Sequence, residues 1–343
     1  MADAQSSTGR PPVHPRQARI GYVLSHEQFP PRQIVANAIA AERAGFDEVW
    51  ASDHFHPWMD NQGHAGHAWV TMGAYGQHTT IRMGTGVTCP SFRYRPAEVA
   101  QAFATLGSLY PGRVFLGIGG GEAVNEVAAG GGWGSYRERA ARMAEAVRLI
   151  RRLWTGEWVQ SDGPYYPIPN AKIYDLPEQP VPIYLAASGP NSARLAGELG
   201  DGWITVMDSA LDPKLHAAFA DGARAAGKDP SALPILVEHY VVVGGRAEAE
   251  EAARLWRFNP IGFSLASEPD PRKILQAAEE QVTLEQAYSR WPVSDDPEVH
   301  VQAIRRFLDA GVTDVFIHSG QMDQQRVIDF YGREVLPRLR AVA

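Results

Sequence analysis

The feature that most constrains this chain is an alternation repeated eight times, in which a short run of β-forming residues gives way to a longer helical stretch. The β-type runs are 20–25, 48–53, 81–88, 114–119, 181–187, 203–207, 235–243 and 312–319. The helical stretches include 32–44, 96–110, 136–154, 191–199, 213–226, 246–255 and 297–310. Strands separated by helices cannot pair as hairpins, so they pair in parallel, and eight such units predict an α/β fold, a (β/α)8 TIM barrel. A minimal barrel uses about 250 residues, which leaves roughly 90 of the 343 for insertions. Two proline-marked stretches can hold them, 156–180 after the fourth strand and 258–296 after the seventh.

Punctuation supports this reading. Ala44-Gly45, Ala226-Gly227 and Ala310-Gly311 place glycine where a helix ends and a left-handed cap is needed. Asp296-Pro297-Glu298 has the acidic cap and first-turn proline of a helix start. The 33 glycines and 25 prolines are spread along the chain, as many short turns require.

Composition removes several functions. Lys and Arg number 32 against 39 Asp and Glu, a net charge of −7 with no basic block, so nucleic acid is not an expected partner. No apolar run is long enough for a membrane span. The single cysteine, Cys89, can form neither an internal disulfide nor a thiolate cluster, which fits a reducing compartment. Residues 1–17 lack the apolar core of a signal peptide, so a flexible N-terminal arm, a single barrel domain over 18–343 and a cytoplasmic location are expected.

Barrel enzymes of this kind carry their chemistry at the C-terminal ends of the strands. That rule nominates Ser25, His26 and Glu27; Ser52, Asp53, His54, His56 and Trp58; Thr88 and Cys89; Gly119–Gly121, Glu122 and Asn125. From the later strands it adds Ala187, Ser188 and Gly189; Met207 and Asp208; Glu238 and His239; and His318. The run Gly117-Ile-Gly-Gly-Gly-Glu122 is not a dinucleotide fingerprint, because Glu122 falls where the third glycine should be and would oppose a pyrophosphate. Its glycines either turn a corner or let backbone approach a flat ligand. His54 and His56, with His64 and His67 nearby, have the look of a metal cluster, but no acidic ligand set accompanies them and no metal is expected. Ser188-Gly-Pro-Asn-Ser192 is equally readable as a phosphate-binding helix start or as an ordinary cap.

Several motifs together resemble one family: Val-Leu-Ser-His-Glu-Gln-Phe at 23–29, Ser-Asp-His-Phe-His-Pro-Trp at 52–58, Phe-Arg-Tyr-Arg-Pro-Ala at 92–97, Pro-Gly-Arg-Val-Phe-Leu-Gly-Ile-Gly at 111–119 and Gly-Glu-Ala-Val-Asn-Glu at 121–126. The chain is similar to the deazaflavin-dependent branch of the luciferase-like barrel enzymes, which includes F420-dependent glucose-6-phosphate dehydrogenases and hydroxymycolic acid dehydrogenases. The resemblance implies coenzyme F420 in the barrel mouth, hydride transfer from a carbinol carbon, and a homodimer. It makes His54 the expected base and Trp58 the cover of the reacting face, with Glu122 and Glu27 completing the acid–base set. Asp53, Gly86, Val87, Asn125, Ala187, Ser188, Gly189 and Asn191 become cofactor contacts, with a non-proline cis peptide at Gly86-Val87.

Imidazole chemistry agrees with the role given to His54, since its ordinary pKa lies near neutrality and alcohol oxidation needs a base at the hydroxyl. The sugar-phosphate members carry basic residues after strand six and in the late insertion. Here those places read Met207-Asp208-Ser209 and Leu265-Ala266-Ser267, and only Arg290 remains. A phosphate dianion would be poorly paired there, so a bulky or apolar secondary alcohol is the expected substrate, ahead of a sugar 6-phosphate. An FMN-dependent monooxygenase and a catalytically silent flavin-binding barrel are the alternatives on the same fold.

Overall fold

Each of the eight β-type runs forms a strand in the computed structural model, which describes residues 18–341. They are β1 (Arg19–Leu24), β2 (Glu48–Ala51), β3 (Arg82–Thr85), β4 (Val114–Ile118), β5 (Ile183–Ala186), β6 (Gly202–Val206), β7 (Ile235–Tyr240) and β8 (Asp314–His318). All eight pair in parallel in chain order, and β1 closes on β8. The expected TIM barrel is therefore the fold. The arm expected over 1–17 lies outside the described residues.

The strands are shorter than their sequence runs for identifiable reasons. Pro180 and Pro182 have no N–H to give a ladder, and β5 begins only at Ile183. In the third run the ladder stops at Thr85, a cis Gly86-Val87 peptide follows, and Thr88 makes one further bridge to Ile118. The seventh run leaves the barrel after Tyr240, and Val242–Val243 pairs instead with Val293–Ser294 from the late insertion.

The helices follow their end signals. Gly45, Gly227 and Gly311 all adopt positive φ, at +94°, +73° and +93°. Asp296 accepts the Glu298 N–H at the start of the helix Pro297–Asp309. Both insertions carry structure. The first folds as a hairpin, Val159–Ser161 against Ile168–Ala171, standing between the helix Tyr136–Leu153 and β5. The second contains the helices Pro271–Gln281 and Leu284–Tyr288, and its Phe258 and Trp291 join Trp256, Tyr240, Met59 and Val124 of the barrel in a second apolar cluster.

Alternate residues of each strand face the barrel axis. Val23, Trp50, Phe115, Tyr184, Ile204, Leu236 and Phe316 fill it, with Trp50 stacked on Phe316 at 3.9 Å. Gly117 of β4 lies so close to β3 that a Cβ there would sit 1.9 Å from the Thr85 carbonyl oxygen, which is why this strand position carries no side chain. Below the apolar layer Arg19 and Arg82 meet Asp314 and Glu48, so the N-terminal end of the barrel is closed by paired charges.

Three buried histidines are built into this frame as neutral groups. His26 lies between the Leu24 carbonyl at 2.8 Å and the Thr71 hydroxyl at 2.7 Å. His239 packs edge-on against Phe307, and His300 contacts the Tyr331 hydroxyl at 2.9 Å. Burial lowers all three from the ordinary value of 6.5, His239 to about 3. The unfolded chain binds these protons near pH 6.5 and the folded chain does not, so stability present above that pH is lost as pH falls through it. These three groups should pull the thermal midpoint down between pH 7 and 5, each contributing up to about 1.4 kcal/mol per pH unit. Glu48 and Glu126, whose carboxyl groups burial raises, act in the opposite direction over this window, so the check is a difference: His300→Gln should lose less stability on acidification than the parent chain, and an identical pH dependence of the two would contradict the assignment.

Candidate active site

The strand ends assemble a polar centre on one side of the barrel mouth. After β1 the chain turns tightly, Gln28 and Phe29 both donating to the Ser25 carbonyl at 3.2 Å. Glu27 sits in this turn, only 2% exposed. The Ser52 hydroxyl donates to one of its carboxylate oxygens, and the other lies 3.3 Å from Nε2 of His54. The second imidazole nitrogen, Nδ1, faces the His56 carbonyl oxygen at 3.0 Å and the Asn125 amide nitrogen at 3.2 Å. A ring held this way keeps Nε2 as the nitrogen directed toward Glu27.

Asn125 is the hub of the centre. Its carbonyl oxygen accepts the N–H groups of Phe55 and His56, at 2.9 and 3.3 Å, and shapes the loop that follows His54. Its amide nitrogen also reaches Glu122 at 3.4 Å. Glu122 caps the short helix Ala123–Glu126, and the next N–H, of Ala123, donates to Ala266 of the late insertion at 2.9 Å. Trp58 lies 5.5 Å from the His54 ring and stacks on Phe258 of the same insertion at 4.7 Å. His54, Glu27, Glu122, Trp58 and Asn125, named from separate segments of the sequence, thus form one connected cluster of contacts.

Asp53 occupies the same loop and is buried. Thr88 donates to one carboxylate oxygen at 2.7 Å, and Arg93 and Tyr94 donate to the other at 3.1 Å each. Its carboxylate therefore ties the β2 loop to the β3 loop beneath His54. Arg93 and Tyr94, with Glu126, were not singled out from the sequence as functional residues. Glu126 accepts the N–H groups of Phe92 and Arg93 at 3.0 and 2.7 Å, and burial pushes its carboxyl group up. The one local signal is the spacing Glu122-x-x-x-Glu126, two carboxylates four residues apart at a short helix.

Not every polar residue at a strand end faces the mouth. His239 points outward to Phe307, with its Nδ1 3.4 Å from the Met207 sulfur, and His26 is held by Leu24 and Thr71. Strand alternation explains the first case, because Glu238 and His239 must face opposite sides. Cys89 is buried and its thiol is pushed well up by desolvation. Among the described residues no group of three or more His, Cys, Asp and Glu is placed to hold a metal ion.

The remaining mouth offers a platform and an anion-compatible rim. Val87, at the cis peptide, rests on the apolar layer that fills the barrel. Gly119 makes room for it, since a Cβ there would lie 2.5 Å from the Val87 side chain. Gly121 turns the corner with φ +82°, and beside Gly120 a Cβ would meet nothing within 4 Å. The glycine run is thus partly a corner and partly open approach. Next around the barrel, the Ala187 carbonyl is held by Trp203 and Thr205, each at 2.8 Å, which fixes the turn Ser188-Gly189. Gly189 begins the helix Pro190–Leu199; its N–H is capped by the Ser192 hydroxyl, while Ser188 and Asn191 are exposed. Open backbone beside Gly120 and an exposed helix start at Ser188 and Asn191 are what a flat ring with an anionic tail would need.

The sequence profile of luciferase-like monooxygenases matches residues 14–314. An F420-dependent hydroxymycolic acid dehydrogenase of Mycobacterium tuberculosis is 50% identical over 331 residues, covering 96% of this chain and 91% of that protein. An F420-dependent glucose-6-phosphate dehydrogenase of Nakamurella multipartita is 44% identical over 342 residues, covering 96% and 98%. Among solved structures, an F420-dependent secondary alcohol dehydrogenase in complex with an F420–acetone adduct superposes with a TM-score of 0.89 at 37% identity, over 94% of this chain and 99% of that one. The chain belongs to the luciferase-like monooxygenase family, and the two relatives compared above are F420-dependent dehydrogenases.

Proposed function

We propose that this protein is an F420-dependent oxidoreductase that oxidises a secondary alcohol to a ketone, with His54 taking the hydroxyl proton. The observation that carries the reading is the His54 geometry, an imidazole at the mouth with Nε2 facing the Glu27 carboxylate at 3.3 Å. Bound F420 would supply a deazaflavin ring that accepts the hydride. Val87 and Gly120 would take the ring, and Ser188, Gly189 and Asn191 its anionic tail. When His54 accepts a proton at Nε2, the new positive charge faces Glu27, which offsets it. Asn125 keeps the ring from turning away, Trp58 covers it from the insertion side, and Glu122 adds a second carboxyl group to the mouth.

The rim favours an uncharged alcohol over a sugar phosphate. Arg290 is engaged by Asp208, both of them exposed, so its guanidinium is already matched by a carboxylate. Ala266 contributes a backbone carbonyl that is taken by Ala123. Val206 at the end of β6 and Phe55 beside His54 are apolar and 38% and 48% exposed, which suits a hydrocarbon substituent. A cytoplasmic location and a homodimer complete the proposal; among the described residues no helix is long and apolar enough to cross a membrane.

Purified protein mixed with oxidised F420 and a panel of secondary alcohols should bleach the visible absorbance of the deazaflavin, and glucose 6-phosphate should do so far less. Absence of bleaching with every alcohol, together with tight FMN binding, would overturn the proposal. His54→Ala should lower kcat by about 10²- to 10⁴-fold while leaving F420 affinity intact; unchanged turnover would remove His54 as the base. Light scattering should give the mass of two chains, and a single-chain mass would refute the dimer.

A further inference from the structure

A second polar chain starts at Ser25, two residues before Glu27. Val23, Leu236 and Phe316 line the barrel interior, so two residues further along β1, β7 and β8 the same face is presented by Ser25, Glu238 and His318. These three side chains are linked. Ser25 Oγ lies 2.7 Å from His318 Nε2, and His318 Nδ1 lies 2.8 Å from Glu238 Oε1. Ser25 and His318 are each 2% exposed, whereas the Glu238 side chain is 25% exposed at the mouth. The imidazole is held in plane by Tyr240, stacked at 4.2 Å, and by the edge of Trp256 at 4.3 Å.

The proton inventory gives this chain a direction. An ionised Glu238 only accepts, so Nδ1–H of His318 donates to it, and Nε2 is left to accept the Ser25 hydroxyl. Ser25 opens the turn that carries Glu27. On the far side of Glu27, the Gln28 amide donates to the carbonyls of Gly320 and Gln321 at 2.8 and 3.3 Å and accepts the Trp256 indole N–H at 2.8 Å. The last residue of β8 and the segment after it therefore grip the β1 turn on both sides of Glu27, and Trp256 touches both grips.

We infer that the Glu238–His318–Ser25 chain is a positioning device for the acid–base centre, holding the β1 turn so that the Glu27 carboxylate faces His54. His318 is a positioning residue that acts through Glu27. The inference rests on the proposed roles of Glu27 and His54. It has a physical rationale of its own, because misplacing a catalytic group by about 1 Å costs on the order of 10²-fold in rate.

His318→Phe keeps the ring stacking and removes both hydrogen bonds; Ser25→Ala removes one of them with little change of volume and serves if the first variant does not fold. Each should lower kcat for alcohol oxidation about tenfold or more, with the alcohol KM and the F420 dissociation constant, read by fluorescence titration, within about twofold. In a Glu27→Gln background the same replacements should cost nothing further. A crystal structure of the variant should show Glu27 displaced from His54. Equal losses in both backgrounds, or a Glu27–His54 contact unchanged in the variant structure, would overturn the inference. If Glu27→Gln alone leaves kcat unchanged, the acid–base assignment falls instead, and the variant structure still decides whether His318 holds Glu27.

Discussion

The pairing of β1 with β8, Arg19 to Tyr22 against Asp314 to Ile317, closes the barrel and makes every other arrangement here possible. Without it the sheet would have two open edges and its strand ends would not face a common centre. Both ends of this seam are reinforced by side chains. Arg19 bonds Asp314 at 2.7 Å at the N-terminal end, and Ser25 meets His318 at 2.7 Å at the other. The first contact belongs to the charged plug of the barrel floor. The second stands at the mouth, beside the residues assigned to chemistry.

Several polar groups of the mouth loops satisfy one another. Asp53 spends its carboxylate on Thr88, Arg93 and Tyr94; Asn125 spends its amide on the backbone after His54, on the imidazole and on Glu122. Buried polar groups without partners cost about 1–3 kcal/mol each, so these networks allow few alternative loop conformations. The late insertion adds the last restraint through the Trp58–Phe258 stack and the Ala123–Ala266 hydrogen bond. Rigid loops around one imidazole are what proton transfer at a fixed atom requires.

Much of this was legible in the sequence, for reasons that differ from element to element. The eight strands were visible because parallel barrel strands are buried on both faces and form short continuous apolar runs bounded by turn residues. The helix ends at Gly45, Gly227 and Gly311 were visible because a left-handed backbone costs most side chains energy that glycine does not pay. Strand boundaries were less so: β7 could not be seen to end at Tyr240, because the apolar residues after it serve a second pairing with Val293–Ser294. His54, Glu27, Trp58, Glu122 and Asn125 were nominated from motifs and strand-end position. Arg93, Tyr94 and Glu126 are hard to find from sequence because each meets its partners across loops that only the fold brings together, the one local mark being the Glu122-x-x-x-Glu126 spacing.

By itself the sequence determined the number of strands, their parallel order, the end of the barrel where chemistry can occur, and a family resemblance that the related proteins share. These properties follow from local preference and from a period that any reader of the chain can count. Only the tertiary structure decided which of the polar strand-end residues meet. Glu238 and His239 are adjacent in the chain, yet one is linked to His318 at the mouth and the other lies against Phe307 outside the barrel. Glu27 and His54 come from different strands and face each other only because β1 and β2 are paired in register, Leu24 opposite Ala51, and their loops leave the barrel side by side. Contacts of this kind depend on strand register and barrel closure, which are set by the packing of the whole chain rather than by any segment of it.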